Sequence, residues 1–182
     1  TMLGYIAGVY ADAKVAQYDR AIEYYEQVLA HHQSSGKAAN VYSSVRGDST
    51  CTDAAAATAA AERMVTAEGV KAIIGGDCSG VTRAVLTNVA MPNGIVMVSP
   101  SATSPALTAD PDNGLFFRTA PSDAREGEVM ADILVEKGVK SIALTYSNSD
   151  YGKGLAEAIA NAFTAKGGVV TINAAHDDGK AD

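Results

Sequence analysis

Residues 70–107, VKAIIGGDCSGVTRAVLTNVAMPNGIVMVSPSATSPAL, leave few folds open to this chain. Two apolar runs, Val70–Ile74 and Ile95–Val98, lack the in–out alternation of a half-exposed strand. Strands buried on both faces have that composition. Between them Val81, Ala84, Val85 and Val89 recur at helical spacing, in a helix expected to start near Ser79. Strand, tight turn, helix, strand is the unit of a parallel sheet. Each strand ends in a loop of small hydroxyl residues, Asp77–Gly80 and Ser99–Ser104. Open parallel sheets bind ligands beyond the carboxyl ends of their strands. A helix N-terminus beside such a loop offers free amide hydrogens, which suit a small anion such as a carboxylate.

The same alternation runs through the rest of the sequence. A strand at Leu3–Val9 leads to a helix over Lys14–His32, and a strand over Asn40–Arg46 follows. Thr52 or Asp53 caps an Ala-rich helix that Gly69 ends, and small side chains there permit close packing on a sheet. Residues 110–114, DPDNG, form a turn before a short strand in LFFRTAPSDA. Ser122 or Asp123 caps a helix over Ala124–Lys137 that stops at Gly138. A strand at Ser141–Tyr146, a helix at Tyr151–Lys166 capped from Asn148–Asp150, and a strand at Val169–Ala174 complete the series. This is an α/β pattern with parallel strands. We read a Rossmann-like lobe over residues 1–119 and the start of a second, smaller lobe over 120–182. The second β-α-β-α-β run begins with the Leu115 strand and has about three strands, too few for independent stability, as in a chain cut short. AQYDRAIEYYEQVL is similar to one tetratricopeptide helix, but no second copy follows, which excludes a solenoid.

A net charge of −7 leaves no basic stripe for phosphates, so no nucleic-acid partner is expected. No apolar run approaches the ~18 residues of a membrane span, so direct insertion is not expected. His31, His32 and His176 lack metal-ligand spacing, and neither Asp110/Asp112 nor Asp177/Asp178 sits in a calcium-loop pattern. Gly75, Gly76 and Gly80 are not followed by Gly-Lys-Ser/Thr, which disfavours nucleotide binding. No cofactor is expected. The two cysteines, Cys51 and Cys78, are either two buried thiols or a disulfide. Each follows a strand, and if those strands are neighbours both thiols lie at one sheet edge. A bridge there would contribute roughly 3–4 kcal/mol on the loop-entropy model and imply an oxidising compartment. Gly76-Asp77-Cys78-Ser79-Gly80 also has the spacing of a nucleophile elbow. With His176 and Asp177, a cysteine hydrolase is an alternative reading, and a bridged Cys78 would exclude it. A third reading is a ligand-sensing or interaction domain with the Tyr-rich first helix as its partner surface.

Five segments carry a family resemblance: VRGDSTCTDAAAATAAAERMV, VKAIIGGDCSGVT, VMVSPSATSPALT, LFFRTAPSDAREGEVMADIL and IALTYSNSDYGKGLAEAI. In this order they resemble the type I periplasmic solute-binding proteins of ABC transporters, in the branched-chain amino acid (Leu/Ile/Val) group. The resemblance covers about residues 45–182. Residues 1–44 lack the family's usual Gly-Pro-rich loop after the first strand. The resemblance implies two lobes closing on an amino acid, a membrane permease as partner, a periplasmic location and no catalysis. It implies a disulfide between Cys51 and Cys78, as some members carry. Ser79 resembles the carboxylate-binding serine; Ala102 and Thr103 fall in the loop that receives the ligand's carboxylate and ammonium. Asp123 resembles a polar residue near the hinge, and Tyr151 the aromatic laid over the ligand.

Overall fold

The computed structural model describes residues 39–40 and 53–177. The expected Leu3–Val9 strand, the Lys14–His32 helix, most of the Asn40–Arg46 strand and Cys51 lie outside the described residues.

Four parallel strands form the first sheet: β1 (Ala39–Asn40), β2 (Ala72–Ile74), β3 (Val96–Ser99) and β4 (Phe116–Arg118), in that order across it. Ile73 lies opposite Ala39 on one side and Met97 on the other. Helix α1 (Ala54–Thr66) precedes β2, and α2 (Ser79–Val85) follows it. Asp53 caps α1, its carboxylate accepting the Ala56 N–H at 2.8 Å. Ala57, Ala61 and Met64, spaced to share one face, are buried. The two alanines bring α1 close to α2, and Ile73, Val85, Leu86, Val89 and Met97 fill the space beneath. Fully burying each of the larger side chains contributes about 1.5–3 kcal/mol.

The helix after β2 does not end as a regular helix. Residues Leu86–Ala90 form a π-helical turn, with Met91 N–H donating to Leu86 O at 2.9 Å. Asn93 then turns back, its amide side chain donating to Val89 O at 2.8 Å. Helical periodicity places Val85 and Val89 on the core side but does not distinguish this wider turn. The single-turn helix α3 (Ala106–Ala109) falls where the sequence reads as loop.

One expectation is corrected. The Leu115 strand, counted in the second run although it falls within residues 1–119, joins the first sheet as β4, with Val98 opposite Phe117. The turn at Asp112–Gly114, with Asn113 at φ 55°, swings the chain back so that Met97 N–H meets Leu115 O at 2.8 Å. The second sheet therefore has two strands among the described residues, β5 (Ser141–Ser147) and β6 (Val169–His176), paired in parallel.

Helix α4 (Asp123–Glu136) starts at the Ser122 cap and stops at Gly138, φ 73°. Helix α5 (Asp150–Ala165) starts at Ser149, whose hydroxyl accepts the Gly152 N–H at 3.0 Å. The two helices touch along Gly127, Ala131 and Ala158, where a Cβ on Gly127 would come within 2.6 Å of the Ala158 backbone. Phe163 on α5 is fully buried, whereas Met130 and Ile133 on α4 and Val169 and Ile172 on β6 are exposed. Apolar burial is thus concentrated around the first sheet.

Candidate functional site

The tips of β2 and β3 lie side by side, and buried hydroxyls fasten them. Ser99, the last residue of β3, is fully buried. Its Oγ donates to Gly76 O at 2.7 Å and accepts the Ala102 N–H at 3.0 Å. Thr82, also fully buried, donates to the same Gly76 carbonyl at 3.0 Å. Ser101 Oγ donates to Asp77 O at 2.9 Å. Ser79, at the first position of α2 and 2% exposed, accepts the Ser104 N–H at 3.1 Å. That bond joins residues 25 positions apart and uses a lone pair of Ser79, leaving its O–H proton to donate elsewhere.

These bonds decide which groups are free to meet a guest. Ala102, 1% exposed, is inside the loop, but its N–H is spent on Ser99. The β3 tip thus consumes the Ala102 amide to hold its own turn. Among the described residues the Thr103 N–H has no acceptor. The first-turn amides of α2 have none within the helix, as at any helix start. The Ser79 hydroxyl, the Thr103 amide and those first-turn amides make one donor-rich edge.

The chain leaves the first sheet next to this edge. Thr103 Oγ1 donates to Asp123 Oδ2 at 3.0 Å, and Asp123 N–H donates to Thr103 O at 3.0 Å. Asp123 is 2% exposed. Burial raises its carboxyl above the ordinary 3.8; the Thr103 bond pulls it down, Glu126 adds to the rise and Arg118 opposes it. Arg118, at the end of β4, donates to Ala102 O at 3.3 Å, Ser104 O at 2.8 Å and Thr108 Oγ1 at 2.5 Å. Tyr151, the second residue of α5, is 46% exposed. Its phenol is raised above 10.0 by burial, then by the negative charges of Asp123 and Glu126, so it is a neutral donor at neutral pH. Four of the sequence-named residues, Ser79, Ala102, Thr103 and Asp123, are therefore joined through the Ala102–Ser104 loop, and Tyr151 lies within the field of Asp123.

The neighbouring α5 N-terminus approaches the same edge. Arg83 on α2 pairs with Asp110 at 2.6 Å and reaches Asp150 at 3.8 Å. A Cβ on Gly154 would lie 3.0 Å from Pro105 and 3.1 Å from Ser104, so α5 needs glycine there to come this near. A groove of about 840 Å³ runs between α4, α5 and Ser104–Ala106, lined by Arg83, Glu128, Lys153 and Glu157 among others. It excludes Ser79, Thr103 and Tyr151, so it is a neighbour of the donor-rich edge and not the edge itself.

The hydrolase constellation does not assemble. Cys78 is disulfide-bonded and has no thiolate to offer. His176 Nδ1 meets Thr145 Oγ1 at 3.0 Å on the second sheet, and Asp177 is bonded by Asn148 at 3.4 Å. Among the described residues no group of three or more His, Cys, Asp or Glu could hold a metal, and no helix is long and apolar enough to cross a membrane. Sequence reasoning overlooked Arg118 and Ser99. Both lie inside segments it quoted, but an arginine in a short strand and a serine at a strand end carry no spacing signal of their own.

Comparisons with known proteins bear on the family and the fold. Residues 37–182 match the family model described as "Receptor family ligand binding region". A Leu/Ile/Val-binding protein homolog of Brucella melitensis is 38% identical over 116 residues, 62% of this chain and 30% of that protein. The Leu/Ile/Val-binding protein of Citrobacter freundii is 35% identical over 148 residues, 80% of this chain and 39% of that protein. The crystal structure of a leucine-binding protein from Thermotoga maritima superposes with a TM-score of 0.66 at 26% identity, over 87% of this chain and 45% of that one. The chain thus spans less than half the length of these relatives. With its parallel strand tips, its paired hydroxyl loops and a family match over most of its length, this chain belongs to the receptor-family ligand-binding regions and has the fold of a type I periplasmic binding protein.

Proposed function

We propose that the chain contributes the carboxylate-binding side of an amino-acid site in the extracytoplasmic substrate-binding component of an ABC transporter. The carrying observation is the donor-rich edge at the β2 and β3 tips, where Ser79 and the Thr103 loop are held together by the Ser104–Ser79 bond. The Leu/Ile/Val-binding names of its relatives support an apolar amino acid as guest. The guest carboxylate meets the Ser79 hydroxyl, the Thr103 amide and the first turn of α2. Residues 1–119 belong to one lobe and 120–182 to the other. The second lobe brings Tyr151 over the guest side chain, and Asp123 sits at the crossover. The disulfide at Cys78 is in keeping with a periplasmic location, and a membrane permease receives the loaded protein. The protein performs no chemistry on its guest.

Isothermal titration of leucine, isoleucine, valine and several polar amino acids tests this, using protein expressed from its complete reading frame. Saturable binding of at least one apolar amino acid is expected. Folded protein that takes up none of them rejects the proposal. Ser79→Ala should weaken binding by about 1–3 kcal/mol, the range for a hydrogen bond to a charged group; Thr103→Ala keeps the amide that meets the guest and should weaken binding less, through loss of the Thr103–Asp123 bond.

A further inference from the structure

Three successive carbonyls of the ligand loop are held by two residues that flank the crossover. Arg118 Nη1 takes Ala102 O at 3.3 Å and Ser104 O at 2.8 Å, and the Asp123 N–H takes Thr103 O at 3.0 Å. The second guanidinium nitrogen, Nη2, is fixed on Thr108 Oγ1 at 2.5 Å, so the fork is anchored to α3 while it grips the loop. Asp123 also accepts the Thr103 hydroxyl at 3.0 Å, and Arg118 acts electrostatically on that carboxylate. The two residues come from opposite sides of the crossover, Arg118 from the end of β4 and Asp123 from the start of α4.

We infer that Arg118 is a positioning residue for the amino-acid site: it does not touch the guest, but clamps the Ala102–Ser104 backbone in the one conformation that offers the Thr103 amide. This rests on the proposed amino-acid binding. A planar guanidinium presents several donors in a fixed fork; a lysine ammonium is a single point on a flexible stem. Three unanchored carbonyl dipoles beside an incoming carboxylate would repel it. Arg118 turns two of them toward itself and places a positive charge behind the loop. Its link to Asp123 gives the crossover a direct mechanical connection to the loop.

Arg118→Lys keeps the charge and loses the fork; Arg118→Gln loses the charge and keeps one amide donor; Thr108→Ala removes only the anchor on α3. Each is titrated with leucine, and each is unfolded with urea. Amide hydrogen exchange is followed at Ala102 and Ser104, whose N–H groups are bonded to Ser99 and Ser79. The expected result is a roughly ten- to hundredfold loss of leucine affinity in Arg118→Lys, the scale of one charge-assisted bond. Exchange should quicken at those two amides with β2 and β3 unchanged, and Thr108→Ala should stay within about threefold of wild type. Wild-type affinity in Arg118→Lys overturns the inference, including the case where Arg118→Gln alone is weak, since charge and not the clamp would then be acting. Two Arg118 variants that fail to fold also overturn it, because the arginine would then be part of the framework. If the wild-type protein binds no amino acid, the proposed function falls, and exchange alone decides: quickened exchange confined to Ala102 and Ser104 upholds the clamp, and unchanged exchange removes it.

Discussion

Asp123 carries the least settled charge described in the site. It is almost fully enclosed, and its neighbours pull in both directions, with burial the largest influence and upward. A carboxyl whose folded pKa lies above its unfolded value binds more protons in the folded state across that window. Its contribution to stability is therefore favourable at low pH and declines as pH rises from the ordinary 3.8 through the raised folded value. Asp123→Asn removes this dependence while keeping an acceptor for the Thr103 hydroxyl. Urea unfolding from about pH 3 to about pH 7 should show the variant gaining on the wild type as pH rises. A constant difference across that range would contradict the assignment of an upward shift. The residue scale is also where the sequence was least legible. Helical periodicity narrowed each cap to two or three residues, Thr52 or Asp53, Ser122 or Asp123, and Asn148–Asp150, and the bonds pick out Asp53, Ser122 and Ser149. Ala102 did not announce that its amide is spent on Ser99, because a loop's internal bonding depends on which strand ends face each other, and no local pattern encodes that.

At the level of elements, buried strands and small-residue helices were readable because composition reports burial. Val70–Ile74 and Ile95–Val98 contain β2 and most of β3, and the unbroken apolar run had only one environment to occupy. The place of β4 was read two ways, within residues 1–119 and as the start of the second run, because three residues, FFR, suit either sheet; the turn at Asn113 decides. The α4–α5 contact shows the same dependence on partners. Gly127 in mid-helix costs α4 about 0.5–1 kcal/mol of intrinsic propensity relative to alanine. It is offset by the approach of Ala158, which leaves no room for a methyl group. Gly127→Ala should therefore destabilise, by about 1–3 kcal/mol as in other overpacked cores, despite the better helix former. Thermal and urea unfolding measure this, and an unchanged or raised stability would mean the helices can part at no cost.

Over the molecule as a whole, burial is uneven. The first sheet is covered by α1 and α2 and contains most of the fully enclosed apolar side chains. The second has Phe163 of α5 buried against it, with Val169 56% and Ile172 57% exposed on β6. Local opening costs least where few apolar contacts must be broken. Native-state hydrogen exchange should find β5 and β6 opening at lower free energy than β2 and β3. Equal protection in the two sheets would show that they unfold as one cooperative unit. The Ser99 hydroxyl has a bearing on how such a receptor could be altered. One oxygen bolts the tip of β2 to the tip of β3, so neither tip can gain or lose a residue without unseating the other. Under the proposed function, selectivity is retuned by exchanging the side chains that face the guest, and a redesign that lengthens either tip breaks the bolt that Ser99 supplies.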